Sequence, residues 1–267
     1  MQHLRSIQTA DRYFDTNRRP VLITCDDMES YVCKYHTGSG NCMSLFCEYL
    51  ASAFLKIWGL RTPDFAFVRI NREHIPSSWG IHGYCFDTTC FATKYHSEYA
   101  DATKLNEIIK SSDRKKYTNR FDLIKIELFD LWLANEDRHA GNMNLLIDLE
   151  NERDFIAIDH ESIFNSRVMS DHLSELTEND SILDSLFART LFDKREITPA
   201  LIDEIKKYFY LCTQHCKEQA SSILDDIPSD WKISRDEVNI KLEQIFAKQW
   251  QENNFKFFST LLQQYLL

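Results

Sequence analysis

The hydrophobic pattern of this chain changes period once, near residue 95, and that change limits the folds open to it. Before it, apolar residues fall in short β-branched and aromatic runs. These are Val21 to Thr24, Tyr31 to Tyr35, and Phe65 to Ile70 after Pro63, with Cys85 to Thr93 also reading as extended. The turn-like Asp26-Asp27-Met28-Glu29-Ser30 predicts a hairpin between the first two runs. One helix interrupts them: Ser44 to Trp58 carries Leu45, Tyr49, Ala53 and Leu55 at helical spacing and stops at Gly59. From about Ala100 the helical period takes over, with helices predicted over Ala102 to Ser111 and Phe121 to Ala134. A short strand pair follows, Met143 to Asp148 and Phe155 to Ile158, and then helices over Leu173 to Thr190, Pro199 to Gln219 and Ser234 to the end. A strand-rich N-lobe of residues 1–95 and a helical C-lobe of residues 96–267 predict an α+β, bilobal architecture with a cleft between the lobes.

Charge narrows the partners. With 31 basic against 41 acidic residues the net charge is −10, which predicts neither direct nucleic-acid binding nor docking on an anionic membrane, since both need a basic surface. Met1 to Thr9 is polar, so no signal peptide is expected, and no window approaches the roughly 18 to 20 apolar residues of a membrane span. The eight cysteines form no Cys-x-x-Cys pair and mostly lie in apolar stretches, which predicts reduced, packed thiols in a cytoplasmic protein. Cys212, His215 and Cys216 recur at helical spacing, but without a fourth ligand they read as core packing.

The stretch richest in chemistry is Asn135-Glu136-Asp137-Arg138-His139-Ala140-Gly141-Asn142, followed after the strand pair by Ile158-Asp159-His160. Phosphoryl transfer asks for a carboxylate near the attacking hydroxyl, oxygen ligands for magnesium, and a cation on the nucleotide phosphates. In protein kinases an aspartate precedes a metal-binding asparagine by five positions, and a second aspartate follows a short strand pair. Asp137 and Asn142 keep that offset, and Asp159 closes an apolar strand where a hard-oxygen metal ligand fits. Taken alone, Asp137 and Arg138 read equally well as a solvated turn; His139 and His160 read as structural.

Lys34 alternates out of the apolar strand Tyr31 to Tyr35 and precedes the loop Thr37-Gly38-Ser39-Gly40-Asn41. Glu48 is a lone carboxylate in the apolar helix segment Leu45 to Ala51, and if buried it needs a partner; Lys34 is the natural one. The two glycines of the loop would let backbone amides, with Thr37 and Ser39, approach the phosphates, although an ordinary turn explains them equally.

The order of these features resembles the HipA-like serine/threonine kinases over roughly residues 20 to 165. The features are a strand lysine, a glutamate helix ending in Ile57-Trp58-Gly59-Leu60-Arg61-Thr62-Pro63, Cys90-Phe91-Ala92-Thr93, Asp137-Arg138-His139-Ala140-Gly141-Asn142 and Ile158-Asp159-His160. The resemblance implies a protein-kinase-like fold that uses ATP and Mg2+. In it Asp137 is the base, Asn142 and Asp159 lie on magnesium, and Lys34 lies on the phosphates. It also implies a protein substrate, an antitoxin or regulatory protein as partner, and a toxin–antitoxin or stress-regulation setting. One departure stands out: no Gly-x-Gly-x-x-Gly precedes Lys34, and Cys25 to Ser30 holds no glycine. Asp-Arg-His-x-x-Asn with Ile-Asp-His also resembles phosphoinositide-type lipid kinases, and a pseudokinase acting as a binding module is the remaining alternative.

Overall fold

The computed structural model describes residues 1–38, 40–105, 109–150 and 153–267. Its first part forms a six-stranded sheet from β1 (His3–Arg5), β2 (Arg12–Tyr13), β3 (Val21–Thr24), β4 (Ser30–Lys34), β5 (Phe65–Arg69) and β6 (Cys90–Lys94). The spatial order is β1-β5-β6-β4-β3-β2, with β1 parallel to β5 and the other neighbours antiparallel. Side chains alternate faces along each strand. Tyr31, Cys33, Ala66, Val68, Cys90 and Ala92 therefore fill a core on one face. Phe67 and Phe91 face the other way, toward α1 (Met43–Ile57). Lys34, next along β4 from Cys33, shares the α1 side.

Helix α1 is apolar almost all round, with Leu45, Phe46, Cys47, Tyr49, Leu50, Phe54 and Leu55 all buried, so it must be covered on every face. The sheet covers one side, where Tyr49 and Phe67 rings lie 5.0 Å apart. The helical part covers the other, where Trp58 and Trp132 stack at 5.6 Å. Gly59, at φ +67°, ends the helix: its N–H reaches Lys56 and that of Leu60 reaches Leu55, so two orphan carbonyls are satisfied.

The second part opens with β7 (Tyr99–Asp101), α2 (Ala102–Leu105) and α3 (Phe121–Leu133), then β8 (Leu145–Asp148) and β9 (Phe155–Ala157). β7, β8 and β9 form a small antiparallel sheet. Beyond it come α4 (Ile163–Arg167), α5 (Leu186–Leu191), α6 (Pro199–Asp225), α7 (Arg235–Phe246) and α8 (Lys248–Leu266). The connection between α6 and α7 reaches back to the sheet: Trp231 Nε1 donates to Thr89 O at 2.7 Å and Cys42 N donates to Trp231 O at 2.9 Å. The start of α1 is thereby tied to the helical part.

Several predicted boundaries move. Cys85 to Thr93 is not one strand: a 3-10 turn spans Gly83–Phe86, and pairing begins at Cys90. The helix expected over Ala102 to Ser111 is described only as far as Leu105, residues 106–108 lie outside the described residues, and Ser111–Lys116 forms a 3-10 turn. Leu173 to Thr190 is not a single helix. Ser181, Ser185 and Asp180 bond to backbone N–H groups of Leu183, Ala188 and Thr177, offering the chain turns in place of helical bonds, and α5 begins only at Leu186. Extended backbone at Ala247 splits the last helix in two. Cys212 and Cys216 are buried while His215 is exposed, so the three do not share one buried face. All eight cysteines are free and buried. No helix among the described residues is long and apolar enough to cross a membrane.

Candidate active site

Two consecutive elements and one far along the chain meet at Lys34. From β4 its Nζ donates to Glu48 on α1 and, at 2.9 Å, to Asp159 Oδ1 just beyond β9. Glu48 is buried, while the Asp159 side chain is 40% exposed, so the cluster is closed on the helix side and open on the other. Asp159 adopts φ +60°, a left-handed conformation costing on the order of 1 kcal/mol, which marks a side chain held in place by its surroundings. Burial alone would lower the Lys34 pKa, but the carboxylates of Asp159 and Glu48 outweigh it and raise the value. The Lys34 ammonium in turn holds Asp159 well below the usual carboxylate range. Burial raises Glu48 against the pull of the same ammonium.

The loop carrying Asp137 begins where α3 ends. Ala134, at φ +50°, closes that helix, and Asn135 N donates to Asp130 O at 3.0 Å. The His139 and Asn142 backbones exchange hydrogen bonds at 3.1 and 3.0 Å, making a tight turn that Gly141 N and His139 Nδ1 support. Arg138 is 1% exposed and fixes the whole region. Its Nε donates to Asp130 at 2.6 Å, and its two terminal nitrogens donate to Met143 O at 2.7 Å, to Asn144 O, to Ile158 O at 3.1 Å and to His160 Nε2 at 2.7 Å. One guanidinium thus grips the backbone on both sides of the site: Asp137 precedes it, and Asp159 follows the carbonyl of Ile158.

A guanidinium only donates, so His160 Nε2 accepts and its ring carries the proton on Nδ1. Burial first, then the Arg138 charge, lower the His160 pKa well below the ordinary value, so the ring is neutral. His160 is thus a buried partner of Arg138, and His139 bonds within its own turn.

Asp137 is half-buried, with Oδ2 accepting from Asn144 Nδ2 at 3.1 Å. Asn142 Nδ2 donates to the Asp137 carbonyl at 2.9 Å, which leaves its side-chain oxygen as the group free to meet a cation. Glu161 joins the open end of the cluster: its carboxylate lies within 4.8 Å of those of Glu48 and Asp159. All of these are hard oxygen donors of the kind magnesium takes. Thr37 is exposed and takes part in none of these bonds among the described residues; Ser39 lies outside the described residues.

The sequence reading missed Asp130, Arg138 as a buried group, and Glu161. Asp130 was open to the argument applied to Glu48, being a carboxylate set among Leu128, Phe129, Leu131 and Trp132 on an apolar helix. For Glu161 the sequence carries no such signal, because only the fold brings it beside Glu48 and Asp159.

A family model described as HipA-like kinase matches residues 7–260. Among solved structures the chain resembles the Helicobacter pylori proinflammatory kinase CtkA, with TM-score 0.55 at 15% identity over 96% of this chain and 98% of that one. It also resembles the Golgi casein kinase, with TM-score 0.50 at 13% identity over 96% of this chain and 73% of that one. A second structure of that kinase, with Mn and ADP bound, aligns over 97% and 74% at the same TM-score and identity. At such identities the likeness is one of fold. No curated protein sequence matches the chain.

Proposed function

The chain belongs to the HipA-like kinase family, and from that premise we propose that it transfers the γ-phosphate of ATP, with Mg2+, to a serine or threonine hydroxyl of a protein. The observation that carries the proposal is Lys34 held jointly by Glu48 and Asp159. A cation fixed between a buried helix carboxylate and a half-open loop carboxylate is the arrangement that phosphoryl transfer uses. Lys34 takes the nucleotide phosphates and Glu48 positions it. Asp159 and the Asn142 oxygen hold magnesium, which when bound neutralises charge on the phosphates. Asp137 accepts the proton of the attacking hydroxyl. Thr37, in the segment after β4, is assigned to the edge of the phosphate site, while the same assignment for Ser39 falls outside the described residues.

In this reading residues 1–95 form the lobe that holds the phosphates, and residues 96–267 the lobe that carries the base and metal ligands. Eight free, buried thiols support a reducing, cytoplasmic setting. An antitoxin or regulatory protein as partner remains part of the proposal through the family alone.

The acceptor is proposed to be protein because an excess of ten acidic residues repels an anionic leaflet, where each basic residue would otherwise add about 1 kcal/mol of attraction. Radiolabelled ATP and Mg2+ are supplied with basic candidate proteins or cell extract in one tube and with inositol-lipid vesicles in another. The expected result is phosphoserine or phosphothreonine on protein, lost in Asp159→Asn. Lipid labelling without protein labelling overturns the acceptor, and nucleotide binding without transfer to either makes the chain a pseudokinase.

A further inference from the structure

The hairpin that precedes the lysine strand is β2–β3, and its loop, residues 14–20, holds no glycine. The loop is well tied: Phe14 N donates to Pro20 O at 2.9 Å and Arg19 N to Thr16 O at 3.0 Å. Its two arginines point to different tasks. Arg19 lies 4.2 Å from the Tyr13 ring centroid and donates to Trp79 O at 2.9 Å, which anchors the loop to the sheet. Arg18 leaves the sheet altogether and meets Glu161 beyond β9, its Nε 3.3 Å from both carboxylate oxygens. That carboxylate also lies 3.6 Å from Arg167 and within 4.8 Å of Asp159 and Glu48. The Arg18–Glu161 pair thus joins the tip of the first hairpin to the open end of the Lys34 cluster.

We propose that Arg18 is a nucleotide-phosphate ligand, held on Glu161 until a phosphate replaces that carboxylate. The proposal rests on the reading of the cleft as a nucleotide site. Without glycine the loop cannot bring its backbone amides close to an anion as a glycine-rich loop does, so a side chain has to carry the positive charge. A guanidinium suits this task, because its planar fork pairs with phosphate oxygens two at a time. The Arg18 side of the pair can also be exchanged: Arg18 is 41% exposed against 19% for Glu161, and an arginine facing water is weakly held. Arg138, locked by internal carbonyls, has no such freedom.

The test is calorimetric titration of the full chain with Mg·ATP, together with the melting temperature of the ligand-free protein. Arg18→Ala is expected to weaken ATP binding about tenfold while leaving the ligand-free melting temperature unchanged, and Arg18→Lys to restore part of the affinity. ATP affinity equal to wild type in Arg18→Ala overturns the proposal. So does a loss of affinity accompanied by a matching drop in the ligand-free melting temperature, which would make Arg18 a fold contact. A wild-type chain that binds no ATP removes the nucleotide site and this ligand with it.

Discussion

Two clusters, each built on one cation, make up the candidate site and its support, and they are put together in opposite ways. Around Arg138 every partner is internal: Asp130, the carbonyls of Met143, Asn144 and Ile158, and the fully buried His160. Around Lys34 the partners are two carboxylates, one buried and one 40% exposed. The first cluster spends its donors on backbone that cannot leave, so it can hold geometry but cannot meet a ligand. The second keeps one side open, so an incoming anion or metal can compete for Asp159 and Lys34. Charge and burial alone do not separate scaffold from site; what separates them is whether the partners can be exchanged.

The largest effect is therefore expected at the closed cluster. Arg138→Ala leaves Asp130 buried without its cation, and breaking such a pair costs about 3 to 5 kcal/mol. Urea unfolding should show that loss, and an unchanged midpoint would break the contrast. Glu48→Ala should cost less, roughly 1.5 to 3 kcal/mol, the worth of a hydrogen bond to a charged group, because Lys34 keeps Asp159. Equal losses at the two positions would mean that the Lys34 cluster is also scaffold.

Much of this was legible in the sequence. Lys34 and Glu48 stood out as single charges in apolar elements, and the structure pairs them. The hairpin β3–β4, α1, α3 and the strand pair β8–β9 lie where period and turn chemistry put them, within a residue or two. Strands β1, β2 and β7 were not legible, because two or three residues show no period of two and these, unlike the apolar β9, carry no hydrophobic run either. The segment before α5 misled because its apolar spacing was helical while its Ser, Thr and Asp side chains compete for the backbone. Arg138 read, with Asp137, equally well as a solvated turn, because burial of an arginine depends on carbonyls from residues up to 20 positions away.

A third buried acid sharpens the comparison. Glu127 lies one turn before Asp130 on α3, and its Oε2 accepts from Ile182 N at 3.0 Å. Burial pushes its pKa up to about 8 from the ordinary 4.5. The folded state therefore keeps a proton that the unfolded chain gives up between those two values, and stability falls as pH rises through that window. Glu127→Gln removes the titration, so variant and wild type should diverge by about 1 kcal/mol for each pH unit between 5 and 8. Parallel curves in denaturant unfolding across that range would show that Glu127 has a counter-charge after all and belongs with Asp130.

The smallest expected effect on stability falls on Asp137, and that is what would place it with the open cluster. Two of the three hydrogen bonds it accepts among the described residues go to its backbone oxygen, from Asn142 at 2.9 Å and Asn144 at 3.3 Å, and a side-chain change leaves them in place. The third, from Asn144 to Oδ2 at 3.1 Å, can be kept by the side-chain oxygen of an asparagine. Asp137→Asn should therefore change stability by less than about 0.5 kcal/mol, as for a substitution away from buried pairs and cavities. It should also leave ATP affinity near wild type, since Lys34 and Asp159 are untouched. Phosphoryl transfer should nevertheless fall by roughly 100- to 10,000-fold, the loss typical of a missing general base. Unfolding, ATP titration and transfer on one preparation separate the cases. A loss of stability like that of Arg138→Ala would assign Asp137 to the scaffold, and transfer at the wild-type rate would move the base to another residue.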